Sequence, residues 1–211
     1  RVLLPWCLSL LLAIAGALLG VMPLVGAGIL GAAACGIMGI LIPYARVLAA
    51  KKPQEYSAWS FLIGLGWIAL GILFLGITAL FVSTPSEIRA LTIMWLPIIG
   101  AGGFAQLFVG ALSYLMPVVI GGGPSVVRIG IAILDWQFAL RVALRNGALF
   151  LQVVLFCAAA STAVTTLRYA LWLVVIMTFA IDIVMFARAG KNQVRARRER
   201  IKEMSESRQV Q

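Results

Sequence analysis

One carboxylate, Asp182, lies inside an apolar run that is long enough to cross a membrane. An ionisable side chain in lipid costs several kcal/mol unless it is paired, so Asp182 is the first candidate for chemistry. Arg141 and Arg145, at the start of the preceding apolar run, are the basic residues that can reach it. Three roles stay open for Asp182: a structural ion pair, a proton or ion relay, and simple exposure at the membrane interface.

Neutral polar side chains in the apolar runs form a second group of candidates. Gln106, Asn146 and Gln152 either hydrogen-bond between helices, at about 1 kcal/mol or less each, or line a cofactor or quinone pocket. Tyr114 follows Gln106 by eight residues and lies on nearly the same helical face. The candidate pocket or relay residues are therefore Gln106, Tyr114, Asn146 and Asp182.

The sequence contains no histidine. Histidine is the usual ligand of haem, copper and zinc and the commonest general base. The chain by itself cannot build a bis-histidine haem, a histidine copper site or a catalytic triad of the usual kind, and we assign no metal ligand and no catalytic residue. The three glycines before Pro124 lack the Gly-Lys-Ser/Thr sequence of a phosphate loop and predict a helix stop.

The helix that carries Gln106 is rich in small residues. A side of a spanning helix that lacks bulk and bears hydrogen-bonding groups should face protein. Pro97 and Pro117 each remove a backbone donor and favour a kink. The residues that we expect to pack against neighbouring helices are Gly102, Gly103, Gln106, Gly110, Ser113, Tyr114 and Pro117.

The composition identifies the environment of these helices. With 63% hydrophobic and 11% charged residues and a mean hydropathy of +1.06, the 211-residue chain is too apolar for an ordinary soluble domain. About 20 apolar residues cross a bilayer core, and six runs reach that length. The sequence predicts an all-α, polytopic transmembrane bundle in residues 1–190. The six expected spans are residues 2–21, 24–48, 57–82, 88–120, 142–160 and 169–187, with a connecting helix from Ser125 to Arg141.

The formal net charge is +10, and seven Lys and Arg residues lie in residues 191–211. This basic tail is expected to meet anionic lipid head groups rather than nucleic acid. Lys and Arg concentrate in the loop at residues 46–56, in the connector at 121–145 and in the tail. The positive-inside rule therefore predicts that both termini are cytoplasmic, which agrees with an even number of spans.

A more specific pattern runs from residue 103 to residue 146. It reads Gly-Phe-Ala-Gln at 103–106, Gly-Ala-Leu-Ser-Tyr-Leu-Met-Pro-Val-Val at 110–119 and Gly-Gly-Gly-Pro at 121–124, followed by Arg128, Arg141 and Asn146. Together with Tyr-Ser-Ala-Trp-Ser at 56–60, this pattern resembles the membrane region of actinobacterial proteins labelled multicopper oxidase or copper nitrite reductase. That region is loosely similar to the large subunit of haem-copper oxidases, and in those relatives it is joined to, or encoded near, copper-binding cupredoxin modules.

The resemblance is to the second half of that membrane region. The relatives carry an earlier helix of the His-Leu-His-Leu-Asn kind and cupredoxin modules, and neither is among these 211 residues. The resemblance implies a module in the bacterial plasma membrane that acts as an anchor and as part of an electron or quinol route. Any haem or copper would then take its ligands from outside this chain, for example from a cupredoxin-type partner.

Two other classes of function stay open. One is a non-catalytic accessory subunit of a respiratory or envelope complex, held through its glycine faces to other membrane subunits or to a second copy. The other is a small transporter half, whose kinked fourth span frames a substrate site. Because residue 1 is Arg rather than Met, both a processed product and a piece of a longer protein stay open.

Overall fold

The computed structural model describes residues 2–52, 55–156 and 161–209, and nearly all of them are helical. None of the described residues lies in a β-strand, so the all-α prediction is confirmed. The helices of the described residues are α1 Leu3–Leu18, α2 Met22–Lys51, α3 Tyr56–Phe81, α4 Pro85–Ile120, α5 Pro124–Leu134, α6 Phe138–Phe156 and α7 Thr162–Gln209.

Five of these helices, α2, α3, α4, α6 and α7, are long and apolar enough to cross a membrane. The protein is therefore a multi-pass membrane protein. Helix α1 has 16 residues, fewer than the roughly 20 that cross a bilayer core, because Gly20 adopts a φ of 69° and turns the chain. The number of six spans and the side of the termini stay predictions.

The glycine run after α4 stops the helix as predicted. Helix α4 ends at Ile120, and Gly121, Gly122 and Gly123 have φ angles of 68°, 103° and 90°. Residues with a side chain rarely adopt such angles, so this tight turn requires glycine. The next helix, α5, then begins at Pro124, which suits a first helical position.

The connecting helix is shorter than the sequence predicted. Helix α5 ends at Leu134, and Gln137, with a φ of 47°, separates it from α6. Arg141 therefore belongs to α6 and not to the connector, and that boundary prediction was wrong because the turn has no glycine or proline to mark it. Residues 157–160 of the expected fifth span lie outside the described residues.

Two of the helices contain π-helical turns, at Ile37–Leu41 in α2 and at Gly100–Ala105 in α4. Each turn lies within three residues of a proline, Pro43 or Pro97. A proline lacks the N–H that continues the α-helical bonding, and π turns and prolines are the usual places where helices bend. The π-helical turn of α4 ends at Ala105, so this segment, where the helix can bend, lies immediately before Gln106.

The chain divides into two compact units. Unit 1 comprises Arg1–Pro53 and Leu62–Leu107, and unit 2 comprises Gln54–Phe61 and Phe108–Gln211. Helices α3 and α4 contribute residues to both units. Residues 191–209, the basic tail, continue α7 without a break and belong to unit 2.

Glycines set the helix packing of unit 1. A Cβ atom at Gly28 would lie 2.6 Å from the carbonyl oxygen of Ser9 and 2.7 Å from Cα of Ala13, so α1 and α2 approach with their backbones in contact. A Cβ atom at Gly103 would lie 2.7 Å from Ile68 of α3. Gly102 and Gly103 are both buried.

The same small-residue face continues into unit 2. A Cβ atom at Gly110 would lie 3.0 Å from Cβ of Ser60 on α3, and Ser113 and Pro117 are buried. Tyr114 is 54% exposed, so the prediction that it packs on this face was wrong. At about 3.6 residues per turn, eight residues leave a side chain roughly 80° away from Gln106, which is enough to turn it outward.

Candidate functional site

The carboxylate of Asp182 is buried in unit 2, with 1% of its surface exposed. The Nη1 atom of Arg141 pairs with Oδ1, and the Nη2 atom of Arg145 pairs with Oδ2. The Tyr56 hydroxyl donates a hydrogen bond to Oδ2 at 2.8 Å. The ion pair expected from the sequence is confirmed, and both arginines take part in it. The alternative that Asp182 is simply exposed at the interface was wrong, because the carboxylate is buried.

Helical spacing brings these groups to one place. Arg141 and Arg145 are one turn apart on α6, and Thr178 and Asp182 are one turn apart on α7, so each pair shares a face. The Nε atom of Arg145 donates to Thr178 Oγ1 at 3.1 Å, and its Nη1 atom donates to the Tyr56 hydroxyl at 3.1 Å. We call Tyr56, Arg141, Arg145, Thr178 and Asp182 the Asp182 network.

Aromatic rings complete the surroundings of both guanidinium groups. The Cζ atom of Arg145 lies 3.9 Å from the centre of the Phe179 ring, and that of Arg141 lies 4.6 Å from the centre of the Tyr56 ring. A cation over an aromatic face is attracted by the electrons of the ring. Planar guanidinium groups can stack in this way while pairing with a carboxylate, so lysine is a poor substitute here.

The end of α5 is tied to the same network. Arg141 Nη2 donates to the carbonyl oxygen of Leu134, and the carboxylate of Asp135 accepts a hydrogen bond from the backbone N–H of Tyr56 at 2.7 Å. That N–H belongs to the first residue of α3, where helical donors lack partners within the helix. Asp135 thereby joins the connector to the start of α3.

The pKa of the Asp135 carboxyl is raised from its usual value. Partial burial is the largest cause and the charge of Glu55 adds to it, whereas the hydrogen bond from the Tyr56 N–H and the charge of Arg141 lower the pKa. Asp135 is thus linked to the network by its hydrogen bond to α3, and both buried guanidinium groups pair with Asp182.

A second polar contact in unit 2 joins α7 to the end of α4. Gln193, Arg197 and Arg200, at successive turns of α7, donate to the last carbonyl oxygens of α4 and to the glycine turn. The last carbonyls of a helix lack partners within the helix, and cations are favourable at a helix C-terminus. The Pro117 carbonyl also accepts the backbone N–H of Gly121 at 3.2 Å. We call these three side chains the α4 C-terminal clamp. Its bonds are Gln193 to Pro117 (2.5 Å) and Gly121 (3.1 Å), Arg197 to Ile120 (3.0 Å), and Arg200 to Gly122 (2.8 Å).

The other polar candidates have different surroundings. Gln152 is buried, and its Nε2 atom donates to the carbonyl oxygen of Arg168 at 2.7 Å, which confirms a bridge from α6 to α7. Asn146 donates to the carbonyl oxygen of Val142 in its own helix at 2.7 Å. In unit 1, Gln106 is fully buried, and its side-chain amide makes no hydrogen bond with any described residue.

The sequence analysis did not identify the roles of Tyr56, Asp135 and Thr178 in this region. Tyr56 and Asp182 are 126 residues apart, and Tyr56 and Asp135 are 79 apart, so no local pattern connects them. Thr178 carried a usable signal, because it precedes Asp182 by one helical turn. The clamp was missed because the tail was interpreted by its charge alone.

The Asp182 network can hold helices together through directed polar contacts. Its members come from α3, α6 and α7, and both oxygens of the carboxylate are engaged. Among the residues that the structure describes, no group of three or more Cys, Asp or Glu side chains is placed to hold a metal ion. Comparison with protein-family models, with curated proteins and with solved structures finds no match to this chain.

Proposed function

We propose that this protein is a multi-pass anchor and scaffold in a membrane redox assembly, of the copper-oxidase and nitrite-reductase-like kind that residues 103–146 resemble. The observation that carries the scaffold role is the closed set of contacts around Asp182. Donors from Arg141, Arg145 and Tyr56 occupy both of its oxygens. The redox assignment rests on the sequence resemblance.

The geometry favours a structural role for Asp182 over a relay. A relay carboxylate exchanges partners as a proton or ion passes. Here a change of partner would break contacts with two guanidinium groups and a hydroxyl at once, and would leave a charge unpaired in a buried site. A carboxylate in this position fixes the packing of α3, α6 and α7.

In this proposal the redox centres belong to a partner. The chain has no histidine, so a haem or copper site of the usual kind takes its ligands from a second membrane subunit or a cupredoxin-type protein. The protein would lie in a bacterial plasma membrane with six spans and both termini in the cytoplasm. The buried ion pairs would then hold α3, α6 and α7 of the anchor together, while other surfaces of the chain contact the partner.

Purification of the full chain from its native membranes in a mild detergent tests this function. We expect a histidine-bearing partner to copurify, with a haem or copper absorption band in the complex and none in the isolated chain. Solute transport by vesicles that contain only this chain, or a chromophore on the isolated chain, would contradict the proposal. A variant with Arg141→Met, Arg145→Met and Asp182→Leu should still bind the partner if the network is structural.

Cysteine labelling in intact cells tests the six-span topology. Cysteines are introduced singly as Ser86→Cys or Ser205→Cys in a chain whose three native cysteines are replaced by alanine. A membrane-impermeant maleimide should label residue 86 and leave residue 205 unlabelled until the cells are opened. Labelling of residue 205 from outside would contradict a cytoplasmic C-terminal end.

A further inference from the structure

A cavity of about 270 Å³ lies in unit 1 between α1, α2 and α3. Its walls are aliphatic side chains and alanines, together with Trp6, and they include Ile40 and Leu41 of α2 and Ile68 and Ile72 of α3. Ile40 and Ile72 are partly exposed, so the cavity is open on one side. It is distinct from the Asp182 network, which lies entirely in unit 2.

Two features of α2 create this space. A Cβ atom at Gly36 would meet nothing within 4 Å, and Gly36 has an ordinary helical φ of −64°. Neither backbone geometry nor crowding therefore requires a glycine at this wall. The π-helical turn Ile37–Leu41 follows directly and supplies two of the wall residues. Such turns occur often at functional sites in helices.

The chemistry of the walls identifies the class of occupant. A buried water needs two to four polar partners, and apolar cavities of roughly 150 Å³ stay dry and take up apolar molecules. These walls carry no charged side chain, so they cannot hold a head group. The helices that form the cavity include two membrane-spanning candidates, α2 and α3. The apolar molecules available to it are therefore the hydrocarbon chains of the bilayer.

We propose that this cavity is a binding site for one acyl chain of a bilayer phospholipid. Gly36 provides the room for the chain, and Trp6 forms part of the wall. The site takes the chain and leaves its head group outside. This inference does not depend on the redox function proposed above.

Photolabelling of the full chain tests the site. The protein is reconstituted in vesicles of phosphatidylcholine that carries a diazirine in one acyl chain, irradiated, and mapped by peptide mass analysis. Adducts should concentrate on Gly36, Ile40, Leu41, Ile68 and Ile72 relative to Phe104 and Phe108, which are exposed on α4. Equal labelling of the cavity and the exposed positions would overturn the proposal, even without a variant.

A cavity-filling variant and its matched control separate the site from general lipid contact. Gly36→Leu places a side chain in the cavity and should lose most of the cavity adducts while Phe104 and Phe108 keep theirs. Gly66→Leu is the control, because a Cβ atom there also meets nothing within 4 Å and Gly66 is not part of the walls. Unchanged cavity labelling in Gly36→Leu, or equal loss in both variants, would overturn the proposal.

Competition tests which molecule supplies the chain. Cavity adducts that persist in an excess of an isoprenoid quinone support a phospholipid acyl chain. Loss of the cavity adducts while Phe104 and Phe108 keep theirs would show that a quinone tail occupies the cavity and would overturn the proposal. Crosslinks between two protein copies at these same residues, with no lipid adduct, would show that a neighbouring helix fills the cavity and would overturn it.

Discussion

The interiors of the two units are built by different means. Among the described residues, Gln106 is the one buried polar or charged side chain of unit 1, whereas unit 2 buries eight. Unit 1 packs through glycines that bring backbones into contact, and unit 2 adds directed ion pairs and hydrogen bonds. Because lipid is as apolar as leucine, helices in a membrane gain little from burying apolar surface. Close packing and polar contacts are the two remaining ways to specify which helices meet.

The comparison predicts its largest effect at Asp182. Asp182→Asn removes the charge that two buried arginines share, and loss of one partner of a buried ion pair costs about 3–5 kcal/mol. The measurement is the free energy of unfolding in mixed micelles. The control is Glu199→Gln, which removes an exposed pair with Arg195 on the same helix and should cost about 0.3–0.5 kcal/mol. Equal losses in the free energy of unfolding for the two variants would mean that the buried ion pair stabilises the protein no more than the exposed one.

Unit 1 should be most sensitive at a glycine. Gly28→Ala forces a Cβ atom against the backbone of α1, and such overpacking costs about 1–3 kcal/mol. Gly36→Ala on the same helix meets open space and should gain about 0.5–1 kcal/mol from helix propensity. Thermal unfolding of the two variants in one detergent checks the difference in sign. A destabilised Gly36→Ala would contradict it.

The α4 C-terminal clamp predicts an effect at Gln193. Gln193→Ala removes two hydrogen bonds, to the carbonyl oxygens of Pro117 and Gly121. At about 0.5–1.5 kcal/mol for each bond, the variant should lose about 1–3 kcal/mol of stability. Hydrogen exchange should also increase at the end of α4. Asn192→Ala, at an exposed neighbouring position, is the control and should change neither quantity. If hydrogen exchange at the end of α4 increases as much in Asn192→Ala as in Gln193→Ala, the contacts of Gln193 do not stabilise that end of the helix.

The smallest effect compares one glutamine from each unit. Gln152→Leu breaks the bond to Arg168 and should cost about 0.6–1.7 kcal/mol. Gln106→Leu removes an amide that makes no hydrogen bond within the described chain, so it should leave stability unchanged or raise it. Equal destabilisation of the two variants, measured in the same micelles, would show that the units do not differ in this respect.

Part of this architecture could be predicted from the sequence. The length and hydropathy of the runs determined the all-α class, and the glycine run after Ile120 marked the end of α4. Asp182 in an apolar run made an ion pair one of three open roles, and Arg141 and Arg145 were the basic residues within reach in the preceding helix. The spacing of Gly102 and Gly110 indicated the packing face, because small residues at helical spacing have few other uses in a membrane helix.

The rest depends on contacts that leave no local trace. Tyr56 meets Asp182 only after the chain has folded, because 126 residues separate them. Tyr114 was placed on the packing face by counting turns, and a rotation of less than a quarter turn carried it outside. The tail was interpreted by its basic charge, so the role of Gln193 was not predicted. That role depends on where α4 ends, because Gln193 donates to carbonyl oxygens there. Residue type thus predicted the pairing of Asp182 with the adjacent helix, but not the partners that distant segments of the chain supply.

The most direct test of the central claim, that the Asp182 network stabilises unit 2 through its ion pairs, is a double-mutant cycle on Arg145 and Asp182. The free energy of unfolding is measured for Arg145→Met, Asp182→Leu and the double variant in the same mixed micelles. We predict that each single variant is strongly destabilised and that the double variant recovers part of the loss, with a coupling energy of about 1–3 kcal/mol. Simple additivity of the two single losses would contradict the claim.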